Sequence, residues 1–179
     1  MRLGSTVGAV IGVLLIALLL ITAFLPQSVE RDGQLLLCVP SETAFSLFDE
    51  MEEVANWSTL IGSVPAEERQ LEGDAGVGAK ARLRDDEDRW ILLEITDSEA
   101  HEQVAYQFST HQGFVGNARV ELESEPRGTV VDMQLGVEFQ SFLGRWAVIF
   151  ARGALDDLIR QELSSIQELM EEREQGCES

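Results

Sequence analysis

The chain has 179 residues, is 45% hydrophobic, and sets 13 basic residues against 32 acidic ones for a net charge of −19. A charge of that sign and size repels phosphate backbones and anionic lipid surfaces, so no nucleic-acid partner is expected. Two cysteines and two histidines are too few for a disulfide framework or a zinc site of the usual kind, and no metal or cofactor is expected.

The apolar residues are unevenly placed. Residues 3–25 form a run of 23 without one charge. As a helix at about 1.5 Å per residue it reaches about 35 Å, enough to cross a hydrocarbon core of about 30 Å. A cleaved signal peptide competes with this reading. The run is long for one, however, and its exit, Thr22-Ala23-Phe24-Leu25-Pro26, lacks an A-x-A site. Residues 1–25 are therefore expected to be a single-pass transmembrane anchor. Arg2 precedes the run and Arg31 alone follows soon after, which favours a cytoplasmic N-terminus and an extracytoplasmic domain. Gly4, Gly8 and Gly12 recur every four residues, a strip of small side chains on which a second membrane helix could pack to form a homodimer.

Residues 26–33 read as a polar linker, and residues 34–174 as one domain with a tail at 175–179. Residues 35–39 predict a short strand that Pro40-Ser41 stops. Ser41 is a suitable N-cap, with Glu42 in the first turn, for a helix carrying Phe45, Phe48, Met51 and Val54 and ending near Asn56-Trp57. From residue 64 to 139 the period changes to two. Ala79, Ala81 and Leu83 share a face, followed by Ile91, Leu93 and Ile95, then Val104, Tyr106 and Phe108, then Ala118, Val120 and Leu122. Val131, Met133, Leu135, Val137 and Phe139 make the last strand. Turn residues separate these runs at 73–78, 97–98, 113–116 and 126–128, which describes an antiparallel meander with one apolar face. After Gly144 the period returns to 3.6, and Trp146, Ile149, Phe150, Leu155, Leu158, Ile159, Leu163, Ile166 and Met170 predict a helix of some 30 residues. A sheet with one apolar face must be covered, and this helix is the cover.

The Val39-Pro40-Ser41-Glu42-Thr43-Ala44-Phe45 junction, Asn56-Trp57, Gly76-Val77-Gly78-Ala79, Gly128-Thr129 and the long C-terminal helix occur in an order that resembles the SRPBCC superfamily. This is the helix-grip fold of START-like, Bet v 1-like and polyketide cyclase/dehydrase-type domains. The resemblance implies an α+β domain in which a curved antiparallel sheet of about seven strands wraps a long helix around a cavity for hydrophobic ligands. Where members often carry a second aromatic after the first tryptophan, this chain has Leu60.

An enzyme in such a cavity needs inward groups that transfer protons. Among the inward positions of the strands only Tyr106 has a titratable tip. His101 begins a strand and His111 follows it, both read as surface residues, and Glu94, Glu121 and Glu138 face water. Asp85-Asp86-Glu87-Asp88 lacks the glycine and ligand spacing of a calcium loop. Cys177, two residues from the end, is expected to be a free or intermolecular thiol rather than the partner of Cys38. Gly153, inside the long helix, marks either a close approach to the sheet or room for a ligand.

Trp57, Tyr106, Phe108, Phe139, Trp146 and Phe150 come from the elements that would ring the cavity and are the expected ligand-binding set. The expected function is membrane-anchored binding or transfer of a hydrophobic small molecule, lipid- or isoprenoid-like. A cyclase/dehydrase-type enzyme and an unliganded interaction module for a membrane partner are the alternatives.

Overall fold

The computed structural model describes residues 20, 22, 24, 26–62, 64–84, 90–111, 115–139 and 144–173. Most of the expected anchor, with its Gly4, Gly8 and Gly12 strip, lies outside the described residues, as do the 85–88 hairpin tip and the 175–179 tail. Among the described residues no helix is long and apolar enough to cross a membrane.

In chain order the elements are β1 (Ser28–Leu37), α1 (Ser41–Asp49), α2 (Met51–Trp57), α3 (Thr59–Gly62), a 3-10 turn (Ala66–Glu68) and β2 (Arg69–Glu72). They continue with β3 (Lys80–Arg84), β4 (Trp90–Glu99), β5 (Gln103–Thr110), β6 (Val115–Glu125), β7 (Gly128–Glu138), a second 3-10 turn (Gly144–Ala147) and α4 (Val148–Glu172). The strands form one antiparallel sheet in the order β1-β7-β6-β5-β4-β3-β2. β2 to β7 are a meander of successive hairpins, and β1 closes the far edge by pairing with β7. The inward face is the one the alternation predicts. Ala81, Leu83, Leu93, Ile95, Val104, Tyr106, Val120, Leu122, Val131, Met133 and Leu135 are all buried.

Local departures from the sequence reading have physical causes. β1 begins at Ser28, inside the stretch read as linker, because alternation extends upstream: Val29 is buried against the sheet while Ser28 and Glu30 face water. An edge strand tolerates that polarity, since one of its sides has no strand to meet. Helix α1 starts at Ser41 with Pro40 as N-cap, and no side chain caps it; the first bond runs from the Ala44 N–H to the Pro40 carbonyl at 3.0 Å. The expected first helix is two. Glu50 is extended (φ −88, ψ 119) and bridges Ala75, while Met51 N–H donates to Asp74 O at 3.0 Å and Gly76 N–H to Asp49 O at 3.2 Å. The glycine-rich loop before β3 thus takes up backbone groups that an unbroken helix would use. β4 runs on through Asp97 and Ser98, read as a turn, by a register shift between Ile95 and Asp97. The true turn holds His101 at φ 66, exposed and stacked on Phe45 with ring centroids 5.6 Å apart.

Helix α4 lies along β1. Gly33 makes this possible: a β-carbon there would overlap Ile159 Cγ2 and come within 2.9 Å of Leu163 Cδ1. Leu155, Ile159, Ile166 and Met170 are buried on the helix's inner stripe. Each contributes about 1.5–3 kcal/mol by leaving water. The Arg31–Asp156 pair at 2.8 Å and the Arg173–Glu53 pair at 2.7 Å are partly exposed and contribute about 0–1 kcal/mol each. Apolar burial therefore holds the helix far more than the ion pairs do. Gly153 is exposed on the outer side of α4, and a β-carbon there would meet nothing within 4 Å. It marks neither a close approach nor ligand room.

Candidate ligand cavity

Between the inner face of β4–β7, the α2–α3 junction and α4 lies a cavity of about 140 Å³. Its walls are Val54, Trp57, Ser58 and Leu60 from the junction, and Leu158 and Glu162 from α4. The sheet contributes Ile91, Leu93, Tyr106, Phe108, Thr110, Ala118, Val120, Met133 and Leu135. Alternation explains the sheet lining, since residues two apart share a face. A larger hollow of about 410 Å³ sits on the outer face among Gln34, Glu99, Glu102, Glu121 and Asp132. Its carboxylates repel one another, and among the described residues no group of His, Cys, Asp or Glu is placed to hold a metal ion. Of the two, the inner cavity has the predominantly apolar wall.

Three of the six aromatics expected at the site line this cavity. Trp57 is buried and packs edge-on against Phe48, centroids 5.5 Å apart, while its indole N–H donates to Leu47 O at 2.7 Å. Tyr106 is buried and its hydroxyl donates to the Phe48 carbonyl. Burial, with the Asp49 carboxylate adding to it, pushes that hydroxyl's pKa well above the ordinary tyrosine range, so it stays a neutral donor. Phe108 is half-buried and lies over Gly116. The other three are elsewhere. Phe139 is buried in a second apolar cluster with Val29, Val148, Leu155 and Ile159. Trp146 is half-buried and donates from Nε1 to Thr22 Oγ1 at 3.0 Å. Phe150 is 79% exposed.

One cavity group escaped the sequence reading. Glu162 is 5% exposed, and its carboxylate accepts from Thr59 N–H at 3.0 and 3.1 Å, Thr59 Oγ1 at 2.7 Å and Leu60 N–H at 3.4 Å. Burial raises its pKa, opposed by the bonds from Thr59, Leu60 and Ser58. The carboxylate caps the start of α3 and ties α4 to the cavity wall. Its signal was present in the sequence: residue 162 falls on the stripe of 155, 159, 166 and 170, where a charged residue is out of place. Thr110 is the second polar group of note. Its Oγ1 is buried in the wall with no hydrogen-bond partner among the described residues.

Cys38 is disulfide-bonded, where the sequence reading expects Cys177 to be a free or intermolecular thiol rather than its partner. The chain's other cysteine, Cys177, lies outside the described residues.

A seven-stranded antiparallel sheet gripping a long C-terminal helix over an apolar cavity defines the SRPBCC type of domain. Residues 37–171 match the family described as polyketide cyclase / dehydrase and lipid transport, and the chain belongs to that family. A Staphylococcus aureus protein of unknown function is structurally similar, with a TM-score of 0.64, 14% identity, and coverage of 83% of this chain and 97% of that one. An uncharacterized Rhizobium leguminosarum protein gives 0.55 at 15% identity, covering 79% and 96%. The major latex-like protein 151 of Panax ginseng gives 0.54 at 14% identity, also covering 79% and 96%. No curated protein is significantly similar in sequence.

Proposed function

We propose that this protein binds or carries a hydrophobic small molecule in the cavity beneath α4, while residues 1–25 hold it at a membrane. The observation that carries the reading is the cavity wall, eleven of whose fifteen described side chains are apolar. The family's description, which names lipid transport, agrees with it. The uncharged run 3–25 supports the anchor. Leu20 at 56% and Phe24 at 86% exposure are apolar surface that a bilayer would cover. The bond from Trp146 to Thr22 would then hold the start of α4 close to the bilayer. An extracytoplasmic domain is supported by Arg2 and by the disulfide at Cys38, since such bonds persist in oxidising compartments. A homodimer through Gly4, Gly8 and Gly12 belongs to the same reading.

The test is native mass spectrometry of the full chain extracted from its own membrane. Apolar adducts lost in a variant whose cavity is filled, Ala118→Phe, support the reading. Adduct-free protein, or adducts that persist in that variant, reject it. Release of the intact chain by carbonate washing would reject the anchor.

A cyclase-type enzyme is the second reading, favoured by Glu162, a carboxyl group in the cavity wall able to hold or take a proton.

A further inference from the structure

The cavity's size and its few polar groups limit what it can hold. A volume of about 140 Å³ is close to that of an engineered apolar cavity of about 150 Å³ that takes benzene. It is well below the roughly 300–1,000 Å³ of pockets that enclose drug-sized ligands. A single six-membered ring with one small substituent fills it.

The wall has four polar side chains: Ser58, Tyr106, Thr110 and Glu162. Tyr106 is committed to Phe48 O, and Ser58 hydrogen-bonds Glu162. Among the described residues Thr110 Oγ1 has no partner, although leaving a buried hydroxyl unpaired is unfavourable. The Glu162 carboxylate accepts from Thr59 N–H, Thr59 Oγ1, Leu60 N–H and Ser58, so its roughly four acceptor positions are taken while its charge stays in the wall. No lysine, arginine or histidine belongs to the wall. A ligand carboxylate would be buried beside Glu162 without a counter-ion, which is strongly unfavourable.

We infer that the cavity selects a compact, single-ring molecule bearing a neutral hydroxyl group, and rejects carboxylic acids of the same size. This rests on the binding reading above and narrows it. The ring packs against Phe108, Leu93 and Met133, and the hydroxyl takes up the unfilled hydrogen bonding of Thr110. Ionised fatty acids, apolar though their tails are, have the wrong head for this wall.

The test uses the full chain in phosphatidylcholine nanodiscs, titrated calorimetrically against empty discs with cyclohexylmethanol, methylcyclohexane and cyclohexanecarboxylate at neutral pH. The expected result is an alcohol that binds about tenfold or more tightly than the hydrocarbon, with no binding of the acid. Thr110→Val, nearly isosteric, should reduce that preference by about tenfold. Equal binding of alcohol and hydrocarbon, a preference untouched by Thr110→Val, or binding of the acid by the unaltered chain overturns the inference and leaves the apolar cavity standing. If none of the three binds, the cavity itself is not a ligand site and both readings fall.

Discussion

The ring of Phe108 lies flat across Gly116, its direct partner on β6, so that a β-carbon at residue 116 would overlap ring atoms Cζ, Cε1 and Cε2. The ring spreads over the neighbouring strand instead of filling the space beneath α4. The absence of one methyl group on β6 therefore helps keep the cavity open.

Gly116→Ala should displace the Phe108 ring, at a cost of about 1–3 kcal/mol typical of overpacking. The double variant Gly116→Ala/Phe108→Leu should recover most of the loss, a coupling that denaturant melts of the four proteins would measure. Additive effects would mean that the two residues do not share this space.

Two glycines near or in α4 should respond with opposite signs. Gly153→Ala adds a methyl group to open space on a helix and should stabilise by up to about 1 kcal/mol. Gly33→Ala drives a methyl group into Ile159 and should destabilise by about 1–3 kcal/mol. Midpoints of chemical unfolding give both values.

Glu162 predicts a pH dependence. Its pKa is raised in the folded chain, so over the range from the ordinary carboxylate pKa up to the raised one the folded state holds more proton than the unfolded state. Stability from this group therefore falls as pH rises through that window and is highest below it. The melting temperature of the parent minus that of Glu162→Gln should decrease as pH rises from about 4 toward neutrality. A flat or rising difference would contradict the assignment of burial as the dominant cause.

Trp57 should be costly to shorten. Trp57→Phe removes the indole N–H and strands the Leu47 carbonyl in a buried place, at about 1–3 kcal/mol. Phe150→Ala, at an exposed position, should stay within about 0.5 kcal/mol. Thermal melts of the two variants should separate clearly.

Much of this architecture was legible in the residues. The alternation of Val131, Met133 and Leu135 fixed the inner face of β7, and that parity carried over to the whole sheet. Tyr106 and Phe108 followed from it, and Trp57 from its place at the end of the helix before the sheet. Phe150 did not, because a stripe begun at Trp146 has the wrong phase. The 3-10 turn at residues 144–147 precedes the helix, and at about 100° per residue Phe150 falls half a turn from Ile159. The break at Glu50 depends on a loop more than twenty residues later, which no local pattern contains. Glu162 is hidden by composition: a helix stripe is traced by its apolar members, and its one charged member is passed over.

β1 has a further consequence, and it concerns time. Every other strand pairs with one that follows or precedes it directly, whereas β1 pairs with β7, Leu37 against Thr129 and Ser28 against Glu138. As the chain leaves the ribosome, β1 emerges first and its partner about a hundred residues later, so local hairpins form before this long loop can close. The strand nearest the chain's apolar run is thus the last to be enrolled. Until then it offers a bare edge to any other nascent chain.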